Sequence, residues 1–207
     1  MDRILVLGTN NKHKAAEIAP LLAGTGVTVR AAGEYGRFDP DETGATLEEN
    51  ALIKAQAALE LSQEWSIADD TGLEVDALGG RPGLYAARYA GEHCSFDDNI
   101  NKLLSELSGV PEDQRAARFV CVIALCRPGF EPMTFRAGCA GRILEARRGT
   151  QGFGYDPVFF VAETGKTFAE LTTEEKNRIS HRARAVKLLR AELENLRLRD
   201  EEVKRKA

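Results

Sequence analysis

The run Trp65-Ser-Ile-Ala-Asp-Asp-Thr-Gly72 decides the fold class of this chain. Trp65 to Ala68 reads as a short buried strand that runs straight into Asp69 and Asp70, so both carboxylates fall at a strand end, a common place for chemistry in α/β proteins. Adjacent carboxylates repel one another, a cost that a fold rarely keeps without a cation or lysines nearby. Hard oxygen ligands of this kind suit Mg²⁺, which retains several waters and bridges to substrate phosphates. The plainer alternative is a turn rich in Asp, Thr and Gly.

Outward from this run, helices and strands alternate. Upstream, Ile4 to Leu7 followed by Gly8 reads as a buried strand, and Asn10 or Asn11 can cap a helix carrying Ile18, Leu21 and Leu22 on one face, with Pro20 predicting a kink. Thr46-Leu-Glu-Glu49 reads as a capping box opening a helix with Ala51, Ala55, Ala58 and Leu59 on its apolar face. Downstream, Gly79-Gly-Arg-Pro-Gly83 precedes a helix marked by Ile100, Leu103, Leu104 and Leu107 and closed by Gly109. Arg118 to Cys126 reads as a buried strand, Met133 to Leu144 as a strand pair or one bent strand, and Pro157 to Val161 as another strand. Thr172-x-x-Glu175 caps a short helix, and Ser180 can cap a long one through Val186, Leu189, Leu193 and Leu196. The class is therefore α/β with a mixed sheet and flanking helices.

Composition narrows the function. With 207 residues, 43% apolar residues and 29% charged residues, the chain is long enough and apolar enough to bury a core, which argues against disorder. The net charge of −4 gives no broad basic surface, so a nucleic-acid partner is not expected, although a local anion site is. No apolar run is long enough to span a bilayer and no cleavage site follows the first residues, which points to a cytoplasmic protein without a membrane partner. Cys94, Cys121, Cys126 and Cys139 form no C-x-x-C, and His13, His93 and His181 are scattered, so neither a disulfide framework nor a zinc cluster is expected.

Four clusters carry candidate chemistry. Thr9, Asn10, Asn11, Lys12, His13 and Lys14 link a strand to a helix, where backbone N–H groups and a lysine one turn in attract phosphate. Asn50 and Lys54 share one helix face, with Glu42 just upstream. The Asp69-Asp70-Thr71-Gly72 run is the third. The fourth joins Gly152-Phe-Gly-Tyr-Asp156, an aromatic ring in a flexible setting suited to base stacking, to Lys176, His181 and Arg182 around a Ser cap. Other routes lack their motifs. Gly165-Lys-Thr167 ends like a P-loop, but Phe160 stands where its first glycine belongs, and there is neither a Nudix box nor a G-x-S-x-G elbow.

Together the clusters resemble one family. The strings TNNKHKAAE, DETGATLEENALIKA, IADDTGLEVDALGGRPGLYAARYAGE, GFGYDPVFF and EEKNRISHRARA match, in order from residue 5 to about 185, the inosine triphosphate pyrophosphatases, which remove deaminated purine nucleotides. The resemblance implies an elongated mixed sheet with flanking helices and two lobes around a central cleft, in a single catalytic domain over 1–207 with a charged helical extension from about 190. It implies a Mg²⁺-dependent hydrolase acting on ITP, dITP and XTP, working as a homodimer. By the same resemblance, Thr9 to Lys14 hold the triphosphate, and Glu42 and Asp70 are the metal-linked carboxylates. Asp70 is the general base with Asp69 beside it, Lys54 supports the phosphates and Thr71 touches the substrate. Phe153, Gly154, Tyr155, Asp156, Lys176, His181 and Arg182 bind the nucleotide, with Phe153 stacked on the base. His13 stands where many members have Gly. The rival readings are a Maf-like pyrophosphatase of other base specificity and a non-catalytic nucleotide-binding module.

Overall fold

Thirteen regular elements, numbered in chain order, build the protein in a computed structural model that describes residues 3–206, with side chains up to residue 199. Met1, Asp2 and Ala207, which belong to the span read above as one domain, lie outside the described residues. The first half holds β1 (Arg3–Leu7), α1 (Lys12–Leu21), β2 (Val27–Ala31), α2 (Leu47–Ser62), β3 (Trp65–Val75) and β4 (Pro82–Gly83). The second half holds α3 (Phe96–Glu106), β5 (Ala116–Arg127), β6 (Phe130–Ile143), β7 (Phe159–Val161), β8 (Lys166–Thr167), α4 (Thr173–Ile179) and α5 (His181–Lys206). The strands form one sheet in the order β2-β1-β3-β5-β6-β7-β8, with β4 added beside β3. Its β1 pairs are parallel and the β3-β5 and β5-β6 pairs antiparallel, so the mixed class expected from the sequence holds.

Local signals explain the helix starts. Asn11 caps α1, its side chain accepting from the backbone N–H groups of His13 and Lys14, and Pro20 sits in the last turn of a helix that ends at Leu21. Thr46 caps α2 by accepting from the Glu49 N–H, but the Glu49 carboxylate accepts from Ala45 instead of from the cap residue, so the box read from the sequence closes one residue early. The Thr172 and Glu175 box at α4 closes as expected, and the Ser180 hydroxyl accepts from the Ala183 N–H at the head of α5.

The sequence reading ended its central strand at the two aspartates, and the structure corrects this. β3 continues through them to Val75, paired with β5 without interruption from Ser66 opposite Cys126 to Val75 opposite Ala117. Long-range pairing outweighs the local turn propensity of Asp-Thr-Gly. Gly72 serves a close approach here, since a Cβ on it would stand 2.9 Å from the Gly83 carbonyl oxygen of β4. Of Met133 to Leu144, the residues through Ile143 lie in one long strand, β6, the second of the two alternatives read from the sequence.

Strand alternation then sorts the core onto two faces. Ile67, Cys121, Ile123 and Leu125 pack against Ile18 and Leu22 of α1 and against Val186, Leu189, Leu193 and Leu196 of α5. On the opposite face, Ala68, Val120, Val122 and Ala124 pack against Leu47, Ala51 and Ala55 of α2. A further cluster, with Leu73, Ile100, Leu103, Phe119, Phe159 and Phe168, fills the far end of β3 and β5. The helical extension from about residue 190 thus begins as core: Leu193 and Leu196 are buried, and the Arg190 guanidinium donates to the Leu21 and Ala23 carbonyls. All four cysteines are free, three of them buried. No helix among the described residues is long and apolar enough to cross a membrane.

Candidate active site

The alternation of β3 places Asp69 and Asp70 on opposite faces of the sheet, so the neighbours in sequence belong to two different networks. Asp69, fully buried, turns toward α1 and α5. Its Oδ2 meets Lys14 Nζ at 3.1 Å, accepts from Arg182 Nε and Nη2 at 3.2 Å each, and accepts from the Thr71 hydroxyl at 3.1 Å. Burial opposes ionisation of this carboxyl, but Lys14, Arg182 and Lys54 outweigh it and hold Asp69 well below the usual carboxylate range. Asp70 turns toward α2, where Lys54 Nζ lies 2.7 Å from its Oδ1 and 3.2 Å from Glu42 Oε1. Burial pushes the Asp70 carboxyl up, against the pull of Lys54 and Lys14, and the neighbouring Glu42 charge adds to the rise. Burial works against the Lys54 charge, but Asp70, Asp69 and Glu42 together raise its pKa.

A third network binds the ends of the chain together. Glu17, on the inward face of α1 one turn after Lys14, accepts from Lys176 Nζ at 2.7 Å and from Arg182 Nη1. Lys176 also donates to Asp156 Oδ2 at 2.6 Å, and that same oxygen accepts from the Phe153 N–H at 2.8 Å, closing the glycine loop into a turn. Gly152 is required there: its φ is +74°, and a Cβ would fall 2.0 Å from Asp156 Oδ2. Glu17 was not among the residues singled out from the sequence. The one available signal was its spacing, since Lys14, Glu17 and Ile18 share a helix face.

These networks wall a cleft of about 340 Å³. Thr9, Asn10 and Asn11 of the β1-α1 connection and Lys14 of α1 line it, with Glu42 from the segment before α2, Lys54 from α2, and Asp70 and Thr71 from β3. Phe153, Gly154, Tyr155, Asp156, Lys176, His181 and Arg182 line the remaining wall. Of the residues expected at the site, three lie elsewhere. Asp69 sits behind the cleft wall, Lys12 is exposed outside it, and His13 lines a separate cavity of about 160 Å³. Tyr155 contributes backbone position more than chemistry, because its hydroxyl is spent on the Ala86 carbonyl at 2.9 Å. Phe38, Phe96 and Arg88 also line the cleft and carried no signal in the sequence.

His181 is buried at the cleft wall, its ring stacked on Phe119 with centroids 4.6 Å apart, and its Nδ1 has no hydrogen-bond partner. Burial first, then the charges of Arg182, Lys176 and Lys14, keep it neutral well below its ordinary pKa, outweighing the attraction of Asp69. The sign follows: below about pH 6.5 the unfolded chain binds a proton that the folded His181 refuses, so acid lowers stability through this group. Urea unfolding at pH 7.5 and 5.5 should show a midpoint drop on acidification that His181→Phe reduces; an equal drop in both proteins would count against this account.

The sheet and its cleft thus define a mixed α/β protein that gathers lysines, an arginine and an outward carboxylate around a space suited to a polyanion. The chain belongs to the Ham1 family, whose model matches residues 5–192. It is 50% identical over 190 residues to the dITP/XTP pyrophosphatase of Geobacter sulfurreducens, covering 91% of this chain and 96% of that protein. Against the dITP/XTP pyrophosphatase of Desulforamulus reducens it is 52% identical over 184 residues, covering 88% and 92%. Among solved structures, the Ham1 protein of Staphylococcus aureus superposes with a TM-score of 0.84 at 43% identity, covering 93% of this chain and 99% of that one.

Proposed function

We propose that this chain hydrolyses deaminated purine nucleoside triphosphates, ITP, dITP and XTP, to the monophosphate and pyrophosphate. The observation that carries the reading is convergence: in a chain of net charge −4, Lys14, Lys54, Lys176 and Arg182 line one cleft together with Asp70. Relatives about half identical over nearly the whole chain carry the name dITP/XTP pyrophosphatase, which supports the substrate class.

The carboxylates fit a divalent cation. Glu42 and Asp70 lie close enough to share Lys54, and they are hard oxygen donors. Among the described residues no three His, Cys, Asp or Glu side chains form a closed cage, so a cation would complete its shell with phosphate oxygens and water. Bound by Glu42, Asp70 and the substrate, Mg²⁺ would supply Lewis acidity toward the phosphates. The remaining work falls to the chain. Lys54 holds Asp70 Oδ1, which leaves Oδ2 to take the proton of a water as its oxygen attacks the α-phosphorus. The bond from that phosphorus to the α-β bridging oxygen breaks, and the electron pair leaves with pyrophosphate. Lys14, Lys54 and Lys176 offset the charge gathering on the phosphate oxygens, and Thr9 and Asn11 orient the chain's first helix toward them.

Base choice rests on donors. Inosine and xanthosine carry a 6-oxo acceptor where adenosine carries an amino donor. Arg182 spends four N–H groups on Asp69, Thr71 and Glu17, which leaves one on Nη1, and His181 offers a further polar edge beside it. A buried donor facing the adenine amino group loses its bond, at a cost of about 1–3 kcal/mol before repulsion. The expected kcat/KM for ITP exceeds that for ATP by on the order of 100-fold. Pyrophosphate release from ITP with Mg²⁺, abolished by EDTA, tests the activity; equal kcat/KM on ITP and ATP would refute the selectivity. The same reading makes the protein a cytoplasmic homodimer without a nucleic-acid partner, which sedimentation of the purified chain checks for the dimer.

A further inference from the structure

One aromatic contact near the cleft has no part in the chemistry above. His13, in the first turn of α1, stacks on Phe153 with ring centroids 5.1 Å apart and an interplanar angle of 19°. Phe96, the first residue of α3, stands 6.0 Å from Phe153 and 6.4 Å from His13, so three rings from α1, α3 and the glycine loop meet at one point. The loop needs such support. Phe153 sits between Gly152 and Gly154, both at positive φ, and its backbone is tied to one nearby residue, its N–H donating to the Asp156 carboxylate and its carbonyl accepting from the Asp156 N–H.

The two cavities show which side of the ring His13 takes. Phe153 lines both the 340 Å³ cleft and the 160 Å³ cavity, whereas His13 lines the smaller one alone. The Phe153 ring therefore borders both spaces and His13 meets it from the smaller one, while Lys176 Nζ and the Arg182 guanidinium, which line the cleft, lie 5.1 Å and 5.7 Å from the ring centroid. An unsupported phenyl ring on a glycine loop would lose rotamer and loop freedom each time a base docked on it, and a ring already stacked from behind has lost that freedom beforehand.

We propose that His13 is a positioning residue for the purine base: it holds Phe153 from behind, so that base, Phe153 and His13 form a three-ring stack. His13 then acts on the base end of the substrate, although it lies in the phosphate-binding stretch Thr9 to Lys14. The proposal rests on the nucleotide reading above, and the experiment separates the two.

His13→Ala and His13→Phe are compared with the unaltered protein in ITP turnover, in inhibition by inorganic tripolyphosphate, and in calorimetric ITP binding without divalent metal. A stacked pair of this kind implies a rise of about 2- to 10-fold in KM and in the dissociation constant for ITP in His13→Ala. The same variant should keep its kcat, its inhibition constant for tripolyphosphate and, because His13 is exposed, its melting temperature. His13→Phe should restore ITP binding. An unchanged dissociation constant in His13→Ala overturns the proposal, as does a parallel weakening of tripolyphosphate or a failure of Phe to rescue. Absence of pyrophosphate release by the unaltered protein would instead overturn the functional reading, while calorimetry would still report on the stack.

Discussion

Asp70→Asn lowers kcat for ITP by about 10²–10⁴-fold, the usual contribution of a positioned general base, with a far smaller change in substrate affinity. The substitution keeps the size of the side chain and a partner for Lys54, which lies 2.7 Å from the Asp70 carboxylate, but it removes the proton acceptor and one of the two carboxylates suited to the cation. Because burial raises the Asp70 pKa, the wild-type base is better matched to neutral pH than an exposed aspartate would be. Its kcat should fall on acidification as that carboxylate fills with a proton. Asp69→Asn provides the contrast, since Asp69 faces the other side of the sheet and should act on folding and alignment before it acts on proton transfer. Turnover near the wild-type level in Asp70→Asn would end the assignment of the base. Steady-state pyrophosphate release is the measurement.

Arg182→Met destabilises the fold by about 3–5 kcal/mol, as expected when one partner of a buried charge network is removed and the others stay behind uncompensated. Arg182 is 2% exposed and serves Asp69, Glu17 and Thr71 at once. In the variant Asp69 keeps Lys14 and Glu17 keeps Lys176, so the chain still has partial compensation. Asp69→Asn added to Arg182→Met should recover part of the loss, because it removes the charge that Arg182 had neutralised. Urea unfolding of both variants decides the matter: a loss under about 1 kcal/mol in Arg182→Met, or no recovery in the double variant, would contradict the network's role.

Which parts of this were readable beforehand follows from the range of the interactions. The helix starts at Asn11, Thr46, Thr172 and Ser180 were legible because a capping side chain acts within three residues. The residues lining the cleft were legible as four separate clusters, each with chemistry in its residue types. What the sequence did not disclose was set at long range. Asp-Thr-Gly resembles a turn until β5 pairs along its whole length, and only that pairing puts Asp69 and Asp70 on opposite faces. Glu17 resembles a surface glutamate in an alanine-rich helix until Lys176 and Arg182 arrive from 159 and 165 residues away. The apolar spacing of Leu193 and Leu196 was legible as a helix face, but that this face packs against the sheet, in a stretch from about residue 190 whose conspicuous charges suggest an appendage, was not.

The ties from Glu17 to Lys176 and Arg182 also order events during synthesis. A nascent chain exposes α1, β1 and both aspartates long before α4 and α5 leave the ribosome, and until then Glu17 and Asp69 lack the cations that come from the last thirty or so residues. At the usual pace of about 5–20 residues per second, the 159 residues between Glu17 and Lys176 take on the order of 10–30 seconds to make. A message cut short before codon 176 therefore yields a polypeptide in which Asp69 keeps Lys14 but Glu17 has neither of the cations that hold it in the folded chain. Synthesis through Lys176 and Arg182 is thus a condition for closing both the buried charge network and the cleft that those residues line.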